Sequence, residues 1–280
     1  MTEIKHIIAV ASGKGGVGKS TTAVNLALAL AAEGGQVGLL DADIYGPSLP
    51  LMLGVPEGTR PEQADEQSLL PIIAHGIKTM SLGYLVTERT PMVWRGPMAG
   101  GALQQLLEQT QWGDLDYLVI DLPPGTGDIQ LTLTQKAAVS GAVIVTTPQD
   151  IALIDARKAI EMFAKVQVPV LGVVENMAVH ICTKCGHREH LFGADGGERI
   201  AGEYAVPLLG ALPLARSLRE QMDAGNPTVV AEPDGEATGI YREVARGVIA
   251  ALDTGTPGMM PEIKIRSEEH TSELQSPDHL

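Results

Sequence analysis

The sequence predicts an α/β protein with a doubly wound, mostly parallel β-sheet and helices on both faces. Short apolar runs without polar alternation recur along the chain, as expected for strands that are buried on both sides. Helical patterns separate these runs, and this alternation is typical of parallel strands joined by crossover helices. With 280 residues, 44% of them hydrophobic, the chain is long enough to form one large domain of this class.

The first third of the chain gives the clearest alternation. An apolar run predicts a strand at Ile4–Ala11, and an Ala- and Leu-rich pattern predicts a helix at Ser20–Glu33 that the following glycine pair ends. The apolar run Gln36–Asp41 predicts the second strand. Segment 54–70 is polar and rich in Pro, Gly and Glu, which indicates a loop, and Ile77–Leu82 is a short predicted strand.

The middle of the chain continues the pattern. A stripe of Met and Leu predicts a helix at Pro97–Thr110, with the preceding Trp94–Pro97 as its entry. Asp116–Asp121 predicts a core strand, after which LPPGTGD gives a glycine-bearing, mobile loop. Asp128 stands at the expected start of the next helix, where it is either an N-cap or a site residue.

The remaining elements complete the predicted sheet. Two strands and the helix between them are followed by a last strand and two closing helices: Ala142–Thr147, Ile151–Val166, Val168–Val174, Leu208–Leu212, Ala215–Ala224 and Ala237–Leu252. We assign residues 1–262 to one domain. The polar segment 266–280 resembles the translation of a sequencing-adapter read-through, so we expect a non-native, disordered tail there.

The strongest motif lies between the first predicted strand and helix. Gly13, Gly18, Lys19 and Ser20 fit G-x-x-x-x-G-K-[ST], and the flanking strand and helix are the context that a phosphate-binding P-loop requires. Glycines let backbone N–H groups point inward, and the helix start adds the positive end of its dipole. Lys19 is expected to reach the β- and γ-phosphates, and the Ser20 hydroxyl to ligate Mg²⁺.

Polar residues at strand ends extend this predicted site. Asp43 follows the second strand and Asp121 closes the third, as in a Walker B arrangement whose carboxylate holds a magnesium-bound water. Ligands of open α/β sheets bind beyond the carboxyl ends of the strands, so these acids are expected near the phosphates. Asn176 follows a later strand and either caps a turn or contacts adenine.

The only two cysteines, Cys182 and Cys185, form a C-x-x-C pair on a predicted loop. This spacing indicates metal or redox chemistry and not a disulfide scaffold. Two thiolates alone complete neither an iron–sulfur nor a zinc site. Either His187 and His190 complete a zinc site, or two chains each contribute a pair; an inert pair and a thioredoxin-like couple are further alternatives.

Composition limits the function classes. The formal net charge of −14 argues against non-specific nucleic-acid binding, which depends on clustered Lys and Arg. No apolar stretch is long enough to span a membrane, and the N-terminus lacks a signal-peptide pattern. We therefore expect a cytoplasmic protein that contacts neither nucleic acid nor membrane.

Taken together, the motifs resemble the Mrp/ApbC family of iron–sulfur cluster carriers, which are deviant Walker A, nitrogenase-iron-protein-like ATPases. The motifs are SGKGGVGKST, DADIYGPS, WRGPM, DLPPGTGD, TTPQDIAL, VENM, CTKCG and HLFG, within Lys5–Pro261. Some bacterial members carry a further N-terminal domain, whereas this sequence starts almost at the first strand. The resemblance therefore carries over no partner contact made through that domain.

The resemblance implies roles for individual residues. ATP would be bound by Gly13, Lys14, Gly15, Gly16, Val17, Gly18, Lys19, Ser20 and Thr21, with Asn176 at the adenine. Lys14, otherwise a plain loop lysine, would reach across a homodimer to the partner's nucleotide. Asp43 would position or activate the attacking water, and Asp121 would bind Mg²⁺ through water. Cys182 and Cys185 of two subunits would bridge one labile [4Fe–4S] cluster, passed on to apo-proteins and received from scaffold proteins.

Three other functions fit parts of the sequence. A septum- or plasmid-positioning ATPase shares the loop lysine, but it needs a membrane helix or a basic DNA-binding face, and the predicted last helix has few basic residues. A zinc-binding regulatory ATPase would use Cys182, Cys185, His187 and His190. An electron-transferring reductase would share the dimer and the cluster.

Overall fold

The computed structural model describes residues 3–85, 96–182 and 184–254. Its strands are β1 Ile4–Ala11, β2 Val37–Asp41, β3 Ile72–Ala74, β4 Ile77–Ser81, β5 Leu115–Asp121, β6 Gly141–Thr146, β7 Val170–Glu175, β8 His180–Ile181, β9 Arg188–Glu189 and β10 Leu208–Ala211. Its helices are α1 Lys19–Ala32, α2 Leu49–Met52, α3 Gly96–Gln109, α4 Asp128–Lys136, α5 Asp150–Lys165, α6 Gly196–Glu203, α7 Arg216–Asp223, α8 Thr228–Ala231 and α9 Glu236–Asp253.

Eight strands form one sheet in the order β10-β7-β6-β1-β5-β2-β4-β3. Neighbouring strands run parallel except at the edge pair of β3 and β4, which is antiparallel. The predicted fold class is therefore confirmed. Strand β1 lies between β5 and β6, and the chain adds strands on both of its sides. Such a switch point opens a crevice beyond the strand ends, directly after β1.

Alternation along β1 divides the core into two layers. Ile8 and Val10 face the layer that contains α1, α8 and α9, whereas Ala9 and Ala11 face the layer that contains α3, α4, α5 and α6. All four of these β1 side chains are buried. A strand covered on both faces must be apolar throughout, which explains why the run without alternation predicted it correctly.

The predicted elements are confirmed to within a few residues, and several short ones were missed. The missed elements are α2, α6, α8, the edge strand β3 and the two-stranded β8–β9 hairpin. The segment 54–70 is loop, with isolated bridges only. Trp94 and Arg95 of the predicted helix entry, and the tail from Arg266, lie outside the described residues.

Candidate functional site

The loop between β1 and α1 has two faces, one packed and one open. On the packed face, a methyl group on Gly13 would lie 2.1 Å from the carbonyl of Asp155 in α5, and one on Gly18 would lie 2.1 Å from Nδ2 of Asn176. On the open face, nothing among the described residues lies within 4 Å of a methyl group on Gly16, and Gly15 meets only Pro124, at 3.9 Å. The open face is therefore where a phosphate chain can enter.

Backbone conformation gives this loop its curvature. Gly16 and Gly18 have φ angles of 80° and 82°, a left-handed region that glycine adopts without steric cost. The carbonyl of Gly18 then accepts hydrogen bonds from the backbone N–H and the hydroxyl of Thr22, so that α1 starts at once. The helix N-terminus consequently adjoins the open face, as an anion site requires.

Lys19 lies at the centre of the site with its side chain only 6% exposed. Its Nζ donates a 2.6 Å hydrogen bond to Oδ1 of Asp121 and lies 3.9 Å from Oδ2 of Asp43. It also lies 3.3 Å from the Ser20 hydroxyl. The four residues predicted to bind phosphate, magnesium and water are thus brought together around one ammonium group.

The carboxylates reach this point because of strand register. Asp41 and Asp121 are paired residues at the ends of adjacent parallel strands β2 and β5. Burial raises the pKa of Asp121, and Lys19 and the Ser20 hydroxyl oppose that rise. Burial also raises the pKa of Asp43, which Lys19 again opposes. The cation of Lys19 favours the ionised form of Asp121 and Asp43, against the effect of burial on their pKa values.

Asp41 was not assigned a role by sequence, and the structure gives it one. Its carboxylate accepts hydrogen bonds from the backbone N–H groups of Asp43 and Leu49 and from the Ser81 hydroxyl. Burial, and then the neighbouring charge of Asp121, raise the pKa of Asp41 to about 7. Asp41 therefore fixes the loop that carries Asp43.

The donor set fits a magnesium ion. Oδ2 of Asp121 is buried and has no hydrogen-bond partner among the described residues, while the Ser20 hydroxyl adjoins the same Lys19 ammonium. Mg²⁺ is bound by oxygen ligands and keeps several of its waters, so that one carboxylate and one hydroxyl beside a phosphate suffice. The free carboxylate oxygen is the feature that such a hydrated ion would satisfy.

The loop after β5 is held by a side chain that sequence analysis missed. Gln130 in α4 is buried, its amide donates to the carbonyls of Pro123 and Gly125, and its carbonyl accepts from the N–H of Gly127. The expected mobile loop is therefore tied at three points in this state. The helix begins at Asp128, as predicted, but its N-cap residue is Gly127, so the expectation that Asp128 itself is the N-cap is wrong.

Asn176 contacts the phosphate loop. Its Nδ2 donates a 2.9 Å hydrogen bond to the carbonyl of Val17, and its Oδ1 accepts one of 2.9 Å from the N–H of Met177. The second bond is the turn cap considered from sequence. The structure therefore gives Asn176 a contact with the loop backbone, and a contact with adenine stays a prediction.

The cysteines lie at the tip of the β8–β9 hairpin, which interrupts the loop expected there. The N–H of Cys182 donates to the carbonyl of His187, and the N–H of Gly186 donates back to the carbonyl of Cys182, each at 2.9 Å. The Cys185 side chain is exposed and Cys182 is half-buried. Backbone N–H groups of Lys184 and Cys185 lower the pKa of Cys182, so the turn favours a thiolate, the form that binds metal.

The histidines near this turn do not join the thiols. Nδ1 of His190 lies 2.8 Å from the carbonyl oxygen of Ala178. Because a carbonyl oxygen can only accept a hydrogen bond, Nδ1 of His190 is the donor. Among the described residues, no three side chains of Cys, His, Asp or Glu are gathered as a metal site. The arrangement therefore gives no support to a four-ligand zinc site within one chain.

Lys14 lies on the phosphate loop and is half-exposed. Its backbone carbonyl accepts a hydrogen bond from the Ser12 hydroxyl.

No helix within the described ranges has the length and apolar character needed to cross a bilayer.

Comparison with known proteins gives consistent relatives. A family model described as ParA, NUBPL iron-transfer P-loop NTPase, matches residues 3–249. A protein of Pseudomonas fragi named iron-sulfur cluster carrier protein is 64% identical over 245 residues, covering 88% of this chain and 85% of the relative. The mouse iron-sulfur cluster transfer protein NUBPL is 52% identical over 251 residues, covering 89% and 78% respectively.

Solved structures agree on the fold. A nucleotide-binding protein of Archaeoglobus fulgidus, solved in complex with ADP, has a TM-score of 0.72 and 40% identity, covering 83% of this chain and 90% of its own. The cell division ATPase MinD of Pyrococcus furiosus has a TM-score of 0.67 at 22% identity, covering 88% and 99%. The latter likeness concerns the fold alone.

Proposed function

The chain belongs to the ParA/NUBPL family of iron-transfer P-loop NTPases, and we propose on this basis that it is an ATP-dependent iron–sulfur cluster carrier. In this proposal a homodimer binds one labile [4Fe–4S] cluster, transfers it to apo-proteins and hydrolyses ATP. The cluster is cargo that the protein holds and releases. Scaffold proteins supply it, and the whole exchange takes place in the cytoplasm, away from nucleic acid and membrane.

The observation that carries the proposal is the geometry of the cysteine turn. It presents one exposed and one half-exposed thiol, and the described residues provide no third ligand beside them. Iron–sulfur clusters are held by four cysteine thiolates in the common case. Two hairpins that meet on a two-fold axis supply that number, and two-fold dimers are the commonest oligomers. A cluster at such a surface is accessible to a recipient.

The nucleotide site has a role for each polar group. Lys19 would turn from Asp121 toward the β- and γ-phosphates, and the loop N–H groups would surround them. Ser20 and Asp121 would hold Mg²⁺, which supplies neutralisation of phosphate charge. Asp43, kept in place by Asp41, would orient the attacking water. Lys14 would contact the partner's nucleotide, and Asn176 the adenine.

Two alternatives are not favoured. A positioning or partition ATPase shares the fold, but the relatives at 64% and 52% identity are named for cluster transfer. A zinc-binding regulatory ATPase would need four ligands in one chain, and among the described residues no three side chains of Cys, His, Asp or Glu are gathered as a metal site.

Anaerobic loading with iron and sulfide tests the proposal. We expect a brown dimer with about four irons for each two chains. Cys182→Ala should abolish loading, whereas a variant with both His187→Ala and His190→Ala should load like the wild type. A colourless protein that binds zinc through the histidines would refute cluster binding.

Hydrolysis needs a separate test. Asp43→Asn should lower the rate of phosphate release while MgATP still binds, because the asparagine amide cannot accept a proton from water. Lys14→Ala should lower the rate only under conditions in which the protein dimerises. Unchanged phosphate release in both variants would contradict these assignments.

A further inference from the structure

A short segment connects the phosphate loop to the cysteine turn. Asn176 and Cys182 are its ends, and the residues between them contain neither glycine nor proline. A segment without these residues has no easy hinge, because the other residue types restrict backbone rotation more strongly than glycine does. We therefore expect a displacement at one end to be carried to the other.

At the loop end, Asn176 is attached too closely to move alone. Its side chain is 9% exposed and donates to the carbonyl of Val17 at 2.9 Å. Gly18 approaches it so closely that even a methyl group there would overlap with Nδ2. Met177 follows with a φ of 58°, in the left-handed region that non-glycine residues rarely adopt, and its N–H donates to the side-chain Oδ1 of Asn176. The phosphate loop and the turn formed by Asn176 and Met177 are thus in direct contact.

Between the ends, backbone hydrogen bonds attach the segment to the residues that follow β10. The N–H of Ala178 donates to the carbonyl of Leu212 at 2.9 Å, and the carbonyl of Val179 accepts from the N–H of Leu214 at 2.8 Å. This pairing gives the segment the stiffness of a strand. The segment thus connects Asn176, which contacts the phosphate loop, to strand β8, which carries the cysteine turn.

At the hairpin end, His190 closes the connection. It follows β9 and donates from Nδ1 to the carbonyl of Ala178, inside the connecting segment, at 2.8 Å. The hairpin is therefore held to the segment on both sides, through the covalent chain at β8 and through this ring after β9. A movement of the segment moves the base of the cysteine turn with it.

We propose that Asn176 is a positioning residue that couples the phosphate loop to the cysteine turn, so that ATP binding changes the accessibility of Cys182 and Cys185. This inference rests on the proposed function only for the identity of the ligands, which are ATP at the phosphate loop and metal at the cysteine turn. When phosphates occupy the loop, the bond between Val17 and Asn176 transmits the rearrangement. By linkage, the factor by which bound ATP changes the metal affinity of the thiols is also the factor by which bound metal changes the ATP affinity.

Thiol alkylation of the metal-free protein, with and without saturating MgATP, tests the coupling without any cluster. The alkylation rate reports the population of the accessible cysteine turn, so the wild type should show about a fivefold or larger change in that rate, the lower end of the affinity changes between coupled sites. Asn176→Ala should bring that ratio close to one at a MgATP concentration that saturates the variant, as measured by direct binding.

Asn25→Ala is the matched control. Asn25 is a fully buried amide that donates to the carbonyl of Thr21 at 2.9 Å and accepts from the N–H of Val229, so it joins α1 to α8 and not to the hairpin. This variant loses a comparable amide beside the nucleotide site. It should keep the wild-type ratio even where its stability falls.

The outcomes separate the two proposals. A wild-type protein whose alkylation rate does not change with MgATP overturns the coupling. A wild-type ratio retained in Asn176→Ala overturns it as well, since ATP-driven dimerisation without Asn176 would then explain the change in rate. Should Asn176→Ala fail to fold or to bind MgATP, His190→Ala decides, and an unchanged ratio there overturns the coupling as well. A protein that loads no iron but shows the nucleotide-dependent ratio refutes the carrier function alone.

Discussion

Gly13→Ala inserts a methyl group at a place where backbone atoms of another element already lie. The new carbon would stand 2.1 Å from both the carbonyl carbon and oxygen of Asp155, and 2.7 Å from the nitrogen of Ala156. These atoms belong to the interior of α5 and cannot rotate away as a flexible side chain could. Either the phosphate loop or the helix must shift.

The expected cost follows from this geometry. Overpacking a rigid site costs about 1–3 kcal/mol, and a clash against helix backbone belongs at the upper end, near 3 kcal/mol. For a domain of this size, 1 kcal/mol corresponds to about 2–4 °C in the melting temperature, so we expect a decrease of roughly 6–12 °C. Thermal or urea unfolding of the nucleotide-free protein measures it.

Gly15→Ala is the control within the same loop. A methyl group there meets only Pro124 Cγ at 3.9 Å, and the substitution removes the same backbone freedom from the unfolded chain. We expect its stability to equal or slightly exceed that of the wild type. If Gly13→Ala were as stable as Gly15→Ala, the loop would not be packed against α5, and the described separation into a packed and an open face would be wrong.

Three further predictions test the buried groups around the loop. Lys19→Met leaves the Asp121 carboxylate buried without its cation, so urea unfolding should show a free energy of unfolding lower by roughly 3–5 kcal/mol. Adding Asp121→Asn should restore the stability, and no recovery in the double variant would contradict the pairing of Lys19 with Asp121. Burial raises the pKa of Asp41 from 3.8 to about 7. The protonated Asp41 side chain therefore contributes its full stabilisation below about pH 3.8, and this contribution is lost as the pH rises through about 7. Wild-type stability should therefore fall between about pH 4 and pH 7 more steeply than that of Asp41→Asn, by at most about 1.4 kcal/mol per pH unit, and equal slopes would count against this pKa. Gln130→Ala removes three hydrogen bonds from residues 123–127, so amide exchange there should accelerate and stability should fall by about 1–3 kcal/mol; unchanged exchange would show that Gln130 does not hold the loop.

The central strands could be predicted because burial on both faces forces an apolar sequence. The bounds of β1 match the prediction, and those of β2 and β5 differ by one residue. Strand β3 was missed because it is an edge strand whose Ile73 side chain is 62% exposed, so no buried run marks it. The four-residue helices α2 and α8 are too short for a helical period to show.

The site was predictable where a local motif specifies the chemistry. The P-loop residues, Asp43 and Asp121 follow from strand ends and spacing, and the structure gathers Asp43 and Asp121 around Lys19. The contact between Asn176 and Val17 was not predictable, because the two residues are 159 positions apart and meet only once the sheet is assembled. The hold of Gln130 on its loop was missed because a helical glutamine carries no motif.

The central claim is that one cluster is shared by two chains through their cysteine turns. Mass measurement of the anaerobically loaded protein under non-denaturing conditions tests it most directly. We expect a species of two chains that carries the mass of a single [4Fe–4S] cluster and is absent in Cys185→Ala. A single chain that carries the metal, or a dimer with a metal ion in each chain, would contradict it.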